Sequence, residues 1–163
     1  MQLDFRMSVI FLDVDGVINI MSPSYNTTTI QPDGKTIWVE SHLIKRLDWL
    51  IDQTSSDVVI SSSWRLDMDD LSKLMKKSGF KNQNKVIGYT PYRKDIRYRG
   101  DEIQAWIDEN NYRENYVVLE DEIDDVNGEK CTTIPKENII EVDPKIGLTH
   151  QNVQEAKNIL KRI

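Results

Sequence analysis

A short apolar run that ends in two aspartates and a glycine stands near the start of the chain, Val9-Ile10-Phe11-Leu12-Asp13-Val14-Asp15-Gly16. Four consecutive apolar residues are typical of a strand that is buried on both faces of a parallel sheet. Residues two apart on an extended segment point to the same side, so we expect the carboxylates of Asp13 and Asp15 to lie together. Gly16 allows the chain to leave the strand through a positive φ. The stretch therefore predicts a buried strand that delivers acids to one edge of a sheet.

Further apolar runs alternate along the chain with residues at helical spacing. The runs predict strands over 57–61, 86–87, 116–119 and 138–142. The helical spacing predicts helices around 43–51, 71–75, 103–107 and 153–160. Expected helix starts are a Ser41 cap, a capping box from Asp101 to Gln104, and a Thr149 cap. Strands that alternate with helices are typical of crossover connections, so we predict an α/β, Rossmann-like fold with a mostly parallel sheet flanked by helices.

The length of 163 residues is that of one domain, and no repeat or Gly/Ser-rich linker divides the chain. We therefore expect a single domain over 1–163. Residues 17–39 are polar and contain Pro23, Pro32 and Gly34, which is typical of a loop or small hairpin. Because this is the only extra segment after the first strand, no large cap domain is expected.

Composition excludes several classes of protein. The net charge is −6, from 27 acids against 21 bases, which argues against a protein that coats nucleic acid by bulk charge. Apolar runs reach only four residues, whereas a membrane helix needs about 20. Residues 1–7 lack the basic and apolar regions of a signal peptide. A single cysteine, Cys131, fits a reducing compartment, so we expect a cytoplasmic protein with no membrane partner.

Oxygen-bearing side chains follow two more of the predicted strands. Hydroxyls come after the second strand, in Ser61-Ser62-Ser63-Trp64-Arg65, and acids after the strand over 116–119. Ligands of open α/β sheets bind beyond the carboxyl ends of the strands, so these groups are expected at one rim. Clustered carboxylates repel each other unless a proton or cation lies between them, and an oxygen-only donor set favours Mg²⁺. The candidate metal ligands are Asp13, Asp15, Glu120, Asp121, Asp124 and Asp125. The alternative is that the later acids only form turns or solvated loops.

Basic and aromatic residues interleave over 85–99, in Lys85, Tyr89, Tyr92, Arg93, Lys94, Arg97, Tyr98 and Arg99. Cations contact phosphates and aromatic faces stack on bases, so the segment is a candidate contact for a nucleotide or polynucleotide. Arg65 beside Trp64 is a second candidate pair. The alternative for the segment is an ordinary solvated loop.

Four motifs resemble a known family. Residues 11–17 resemble the first motif of the haloacid dehalogenase (HAD) superfamily of phosphohydrolases. The strand that ends in Ser61-Ser62, the Arg99-Gly100 pair that opens a helix, and the acids after Leu119 resemble its second, third and fourth motifs. The combination of Ser-Ser-Ser-Trp-Arg, residues 99–103 and Gly147-Leu148-Thr149 is similar to the capless branch associated with Swiss Army Knife RNA-repair proteins. The resemblance covers almost the whole chain.

The resemblance implies a role for each motif residue. Asp13 would be the nucleophile that forms an aspartyl-phosphate, and Asp15 the general acid and base. Mg²⁺ would be held by Asp13, the main-chain carbonyl of Asp15, and Asp121. The family more often has paired aspartates where this chain has Glu120-Asp121, which leaves the ligand there open between the two. Asp124 or Asp125 would orient Arg99 or a metal-bound water.

The remaining roles concern the substrate. Ser62 would donate to a phosphoryl oxygen, preferred to Ser61 because the family tends to place this hydroxyl two residues before the tryptophan. Arg99 would stabilise charge on the transferring group. The other expected substrate contacts are Ser61, Ser63, Arg65 and Arg97.

We therefore expect a Mg²⁺-dependent phosphomonoester hydrolase that acts on nucleotides or on nucleic-acid 3′-phosphate ends. Its partner would be a phosphorylated small molecule or a polynucleotide end, since a site without a cap accepts bulky substrates, and we expect a monomer. Two alternatives stay open: a phospho-accepting module like a response-regulator receiver, and an inactive binder of nucleic-acid ends. A receiver usually has a lysine after its last strand, where Val142-Asp143-Pro144-Lys145 is a poor match.

Overall fold

Seven strands and five α-helices make up residues 7–163, the part of the chain that the computed structural model describes. The strands are β1 (Val9–Leu12), β2 (Thr27–Ile30), β3 (Ile37–Glu40), β4 (Asp57–Ile60), β5 (Val86–Tyr89), β6 (Tyr116–Glu120) and β7 (Ile139–Glu141). The helices are α1 (Ser41–Thr54), α2 (Met68–Lys77), α3 (Arg99–Glu109), α4 (Asp124–Asn127) and α5 (His150–Leu160). A 3₁₀ helix spans Ser63–Asp67. The prediction about a signal peptide rests on residues 1–7, and 1–6 lie outside the described residues.

Five strands form one sheet in the order β5-β4-β1-β6-β7, and every neighbouring pair in it is parallel. β1 lies at the centre, where its register pairs Leu12 with Ile60 on one side and with Leu119 on the other. Helices connect the strands on both faces of the sheet. The predicted α/β, Rossmann-like fold is confirmed.

The two faces of the sheet bury different side chains. Ile10 and Leu12 point into the larger core cluster, which also contains buried residues of α1, α2 and α5. Val9 and Phe11 point to the opposite face, into a smaller cluster with α3. There the Phe11 ring meets the Trp106 ring edge to face at 5.4 Å between centroids. The alternation explains why all four residues of β1 are apolar, since both faces are covered.

Helix starts differ from the sequence-based expectation in two of three cases. Thr149 does cap α5, in a reciprocal capping box with Asn152. Ser41, however, is the first residue of α1, and its cap position is Glu40. The expected capping box from Asp101 to Gln104 is wrong, because α3 already begins at Arg99. Thr133, far away in the sequence, instead donates a hydrogen bond to the Asp101 carboxylate.

β2 and β3 pair antiparallel into a hairpin within the segment 17–39. The hairpin is anchored at its base by Glu40, which is fully buried and accepts hydrogen bonds from the hydroxyls of Ser24 and Thr27. Lys77 of α2 donates to the Thr29 carbonyl at 2.8 Å and holds the hairpin from the side. Among residues 7–163 this hairpin is the insertion between β1 and α1, so the expectation of no large cap is confirmed. No helix in the same range has the length and apolar character needed to cross a bilayer.

Candidate active site

Three oxygen-bearing residues form a row where β4, β1 and β6 end. The backbone ladder continues past β1, because the Ser61 N–H donates to the Leu12 carbonyl at 2.8 Å and the Asp13 N–H donates to the Leu119 carbonyl at 3.1 Å. The register therefore places Ser61, Asp13 and Glu120 side by side. By the alternation of strand side chains they share the face of Val59, Phe11 and Val118. The parallel sheet thus brings residues from distant parts of the chain to one edge, as the sequence predicts.

Carboxylates of Asp13, Glu120 and Asp121 form a close group. One oxygen from each lies within 4.8 Å of the others, and Asp13 and Glu120 are buried while Asp121 is half-buried. Asp15, Asp124 and Asp125 were also expected near a metal ion, but in the described part of the chain their carboxylates lie outside this group. Asp125 faces Lys130 at 4.0 Å instead.

Burial makes the ionised forms of Asp13 and Glu120 unfavourable. It raises the pKa of Asp13 to about 7, an increase that its interaction with Glu120 and the charge of Arg99 oppose. Burial, followed by the charge of Asp13, raises the pKa of Glu120 further. Glu120 Oε1 accepts hydrogen bonds from the N–H groups of Asp121 and Glu122, both at 3.1 Å. Its Oε2 is buried and has no hydrogen-bond partner among the described residues. Such a site requires either protons or a cation.

Arg99 begins α3 and points at the acidic group. Its Nε lies 3.8 Å from Glu120 Oε2, and its Nη1 donates to Glu102 Oε2 at 3.0 Å. Glu102 is one turn along the same helix and is 8% exposed. The Arg99 guanidinium is therefore held beside the acidic group by a further buried acid, Glu102. No pattern in the sequence predicted this role for Glu102.

Arg65 does not point into the open site. Its side chain is buried, and its Nη1 and Nη2 donate to the Ser62 carbonyl at 2.7 Å and to Glu102 Oε1 at 2.8 Å. The guanidinium also lies 5.1 Å from the centre of the Tyr92 ring. The sequence predicted a substrate contact here, whereas the structure places Arg65 in the support of the loop that follows β4.

The three serines after β4 have different surroundings. Ser61 Oγ is buried and has no hydrogen-bond partner in the described part of the chain. Ser62 Oγ is also buried, but it accepts from the Trp64 N–H at 3.3 Å and caps the 3₁₀ helix. Ser63 is exposed. Of the two candidates for a phosphoryl contact, Ser61 is thus the one in the row with Asp13 whose hydroxyl is unpaired.

Asp15 faces a cleft between the hairpin and the 3₁₀ helix. The cleft has a volume of about 420 Å³, and its walls include Trp38 from β3 and Ser63 and Trp64 from the 3₁₀ helix. Asp15 is exposed, and its Oδ1 accepts from Asn19 Nδ2 at 2.8 Å. This volume lies within the usual range for small-molecule sites.

Gly16 fits the chain closely around Asp121. Its φ is +79°, and a Cβ built on it would lie 2.5 Å from Asp121 Oδ2. The glycine predicted from the first motif is therefore needed both for its backbone conformation and for the space that it leaves to a carboxylate of the acidic group.

The basic residues over 85–99 do not form one surface. Lys85 precedes β5, at the opposite edge of the sheet, where its Nζ donates to the Ser55 carbonyl at 3.2 Å and faces Asp57 at 3.9 Å. Arg93 pairs with Glu109. Arg97 is exposed and lies 5.3 Å from the centre of the Tyr98 ring. The hypothesis of a continuous basic contact over this segment is wrong for Lys85, and only Arg99 reaches the acidic group.

Comparison with known proteins agrees with this geometry. A scan against protein families matches residues 9–153 to the family described as the HAD domain in Swiss Army Knife RNA repair proteins. A search of curated proteins found no match. The matched range contains the whole five-stranded sheet, the acidic group and Arg99. The chain therefore belongs to the family of HAD domains of Swiss Army Knife RNA repair proteins.

Proposed function

We propose that the chain is a Mg²⁺-dependent phosphomonoester hydrolase that acts through an aspartyl-phosphate on Asp13. Membership of a HAD family supports phosphohydrolase chemistry. The observation that carries the proposal is the buried carboxylate group of Asp13, Glu120 and Asp121, with Arg99 beside it. Two buried carboxylates and a half-buried third have one guanidinium, that of Arg99, beside them, and burying the remaining negative charge is costly, so we attribute the arrangement to a bound cation.

The donor set fits Mg²⁺. All donors are oxygens, and Glu120 Oε2 is a buried acceptor without a hydrogen-bond partner among the described residues, although Arg99 Nε lies 3.8 Å away. Asp13 and Asp121 would hold the ion together with the main-chain carbonyl of Asp15, and Glu120 completes the negative site. The ion would neutralise phosphoryl oxygens and so let a carboxylate approach them.

Asp13 and Asp15 divide the chemistry. A carboxylate oxygen of Asp13 attacks phosphorus, the bond from phosphorus to the leaving oxygen breaks, and Asp15 gives that oxygen a proton. Asp15 then takes a proton from water, which attacks phosphorus and releases phosphate from Asp13. Their environments suit these roles, because Asp13 is buried while Asp15 is exposed at the cleft where a leaving group can lie.

Arg99 and a serine hydroxyl are proposed to bind the phosphoryl oxygens. Arg99 already lies beside the acidic group and is kept there by Glu102. Ser61 Oγ has no competing partner, which favours it over Ser62 for this contact. Both groups would act on charge that develops during transfer.

The cleft beside Asp15 supports a nucleotide or a nucleic-acid 3′-phosphate end as substrate. Trp38 and Trp64 line it, and aromatic side chains stack on bases of any sequence. Larger HAD proteins carry a cap domain after the first strand, and at that position the described chain has only the hairpin. The end of a polymer therefore has access to the cleft.

The test is phosphate release from a generic aryl phosphate with Mg²⁺ and with EDTA. We expect repeated, metal-dependent turnover by the wild-type chain and loss of at least about 10³-fold in Asp13→Asn. Asp69→Asn, an exposed acid of α2, is the matched control. Undiminished release by Asp13→Asn, or a single phosphorylation without release as in a receiver, would contradict the proposal. A panel of 3′-phosphorylated oligonucleotides, 5′-phosphorylated oligonucleotides and nucleoside monophosphates then identifies the substrate.

A further inference from the structure

A groove between α1 and α5 lies apart from the acidic group. It has a volume of about 480 Å³ and opens to solvent between the two helices. α1 contributes one wall, with His42, Lys45, Arg46 and Trp49 at helical spacing. α5 contributes the opposite wall, with His150 and Val153. Such a volume is in the range of ligand-binding pockets.

The groove surface is largely apolar, and its permanently charged side chains, Lys45 and Arg46, are both basic although the protein is acidic. Of the described residues none that lines it is acidic, while the whole chain has a net charge of −6. Lys45 and Arg46 form no ion pair within residues 7–163. Arg46 Nη1 donates to the Leu148 carbonyl at 2.9 Å, which fixes the guanidinium at the wall. The Glu40 carboxylate, 3.9 Å from His42 Nδ1, is already engaged by the hairpin. The groove therefore suits an anion.

Trp49 supplies an aromatic surface in the same groove. It is 38% exposed, which is high for so large an apolar side chain. Lys157 of α5 lies 5.5 Å from the ring centre, and its Nζ also donates to Gln53 at 3.2 Å. A cation against one part of the ring holds it in place and leaves an aromatic surface beside unpaired cations.

The groove begins near the edge of the sheet that carries the acidic group. The Leu148 N–H, just before α5, donates at 2.9 Å to the carbonyl of Val17, two residues after Asp15. His42 and His150 lie in the first turns of their helices, and Trp49 lies about two turns further on. α1 and α5 cover the sheet face opposite to the one that Asp13, Glu120 and Ser61 share, so a polymer whose end occupies the active site would pass over this edge to reach the groove.

We propose that this groove binds single-stranded nucleic acid, with Lys45 and Arg46 on phosphates and Trp49 stacked on a base. Cations beside an aromatic face are the combination that holds single strands without reading sequence. The choice of nucleic acid over another polyanion rests on the proposed function. An open groove between helices, rather than a closed cavity, favours a strand over a free nucleotide.

The test measures fluorescence anisotropy of a labelled single-stranded oligonucleotide with a 3′-hydroxyl, bound by the full chain in EDTA. Lys45→Glu is expected to weaken binding about tenfold and to reduce the slope of log affinity against log salt by about one. Trp49→Leu is expected to weaken it roughly tenfold through lost stacking. Lys76→Glu, an exposed lysine of α2, makes the same change in net charge and is expected to have little effect.

Each other outcome overturns the proposal. Equal weakening by Lys45→Glu and Lys76→Glu would indicate bulk charge alone. Competition by a mononucleotide as strong as that by the oligonucleotide would indicate a site for free nucleotides. Hydrolysis of the aryl phosphate is measured in parallel and is expected to be unchanged in Lys45→Glu. A negative result for oligonucleotide binding at the groove therefore does not affect the measured hydrolysis. Absence of hydrolysis likewise does not affect the binding measurement, so the two proposals can fail separately.

Discussion

Arg65 donates a hydrogen bond to Glu102 at 2.8 Å, and this buried pair joins the loop after β4 to the helix that begins with Arg99. The other oxygen of Glu102 accepts from Arg99 at 3.0 Å. One carboxylate therefore fixes two guanidinium groups, one that supports the serine loop and one that faces the acidic group. Glu102 is placed to position both sides of the candidate site through these two guanidinium groups.

Glu102→Gln is expected to lower the free energy of unfolding by about 3 kcal/mol, because the buried Arg65 loses its charged partner. Glu109→Gln on the same helix is the control, since its pair with Arg93 is at the surface and contributes less than about 1 kcal/mol. We also expect kcat to fall about 10- to 100-fold with a smaller change in KM, which is the effect typical of residues that orient a side chain in direct contact with the site. Denaturation and steady-state kinetics measure the two effects, and an unchanged kcat would exclude the positioning role.

Glu120→Gln is expected to stabilise the metal-free protein by about 1 kcal/mol while weakening Mg²⁺ binding. The pKa values of Asp13 and Glu120 are raised in the folded state, so the unfolded chain binds fewer protons above pH ~4. In EDTA, wild-type stability should therefore fall as the pH rises from about 4 towards neutrality, and the variant should fall less.

Thermal denaturation across this pH range, with EDTA or with Mg²⁺, checks this. Glu122→Gln is the matched control, because Glu122 is exposed two residues further along. A wild-type protein that gains stability with rising pH in EDTA would contradict raised pKa values of the buried Asp13 and Glu120 carboxyls.

Gly16→Ala and Gly34→Ala separate backbone strain from crowding. Both glycines have a positive φ, +79° and +77°, so each substitution costs roughly 1–2 kcal/mol of strain. Only at Gly16 would the new methyl group meet Asp121, since nothing lies within 4 Å at Gly34. Calorimetric titration with Mg²⁺ should show weaker binding in Gly16→Ala alone. Equal Mg²⁺ affinity in the two variants would remove Asp121 from the metal site.

Ser61→Ala and Ser62→Ala are expected to differ in kind. Ser61 Oγ has no partner in the described chain, so its loss should leave stability unchanged and reduce kcat/KM about 100-fold. Ser62 caps the 3₁₀ helix, so its loss should cost about 1 kcal/mol of stability with a smaller effect on catalysis. Kinetics and denaturation of both variants decide between them, and the reverse pattern would favour Ser62 as the phosphoryl donor.

Asp15→Asn is expected to slow hydrolysis of alkyl phosphates by about 10²- to 10⁴-fold and that of aryl phosphates less. The reason is that a poor leaving oxygen needs a proton more than a good one. Asp33→Asn changes an acid in the same cleft that lies in the connection between β2 and β3, and it serves as the control. Equal slowing of both substrate classes by Asp15→Asn would argue against a general acid.

Local patterns predicted the strands and the edge at which the acids meet. β1, β4 and β6 are buried on both faces, so their apolar runs are continuous and easily recognised. The Thr149 cap was also recognisable from a local pattern, because a cap residue and its partner lie three residues apart. The capping box expected at Asp101 does not form, since the Asp101 carboxylate pairs with a residue 32 positions away, whereas the family resemblance correctly placed Arg99-Gly100 at the start of a helix.

Contacts between distant residues account for what sequence reasoning missed in the site. Glu102 meets Arg65 across 37 residues, and although each lies in a motif of the family resemblance, neither motif indicates that the two residues pair. The cations over 85–99 looked like one cluster, but strand direction places Lys85 at the far edge and a salt bridge holds Arg93. No sequence pattern indicated the groove that contains Lys45 and Arg46, because it forms only where α5 packs against α1.

The central position of β1 in the sheet determines how firmly the candidate site keeps its geometry during local unfolding. Edge strands fray first, whereas a strand hydrogen-bonded on both sides opens only when the whole domain unfolds. Asp13 is attached directly to that strand, between β4 and β6. Thermal opening of β5 or β7 can therefore loosen the edges of the sheet while Asp13, the proposed nucleophile, keeps its position.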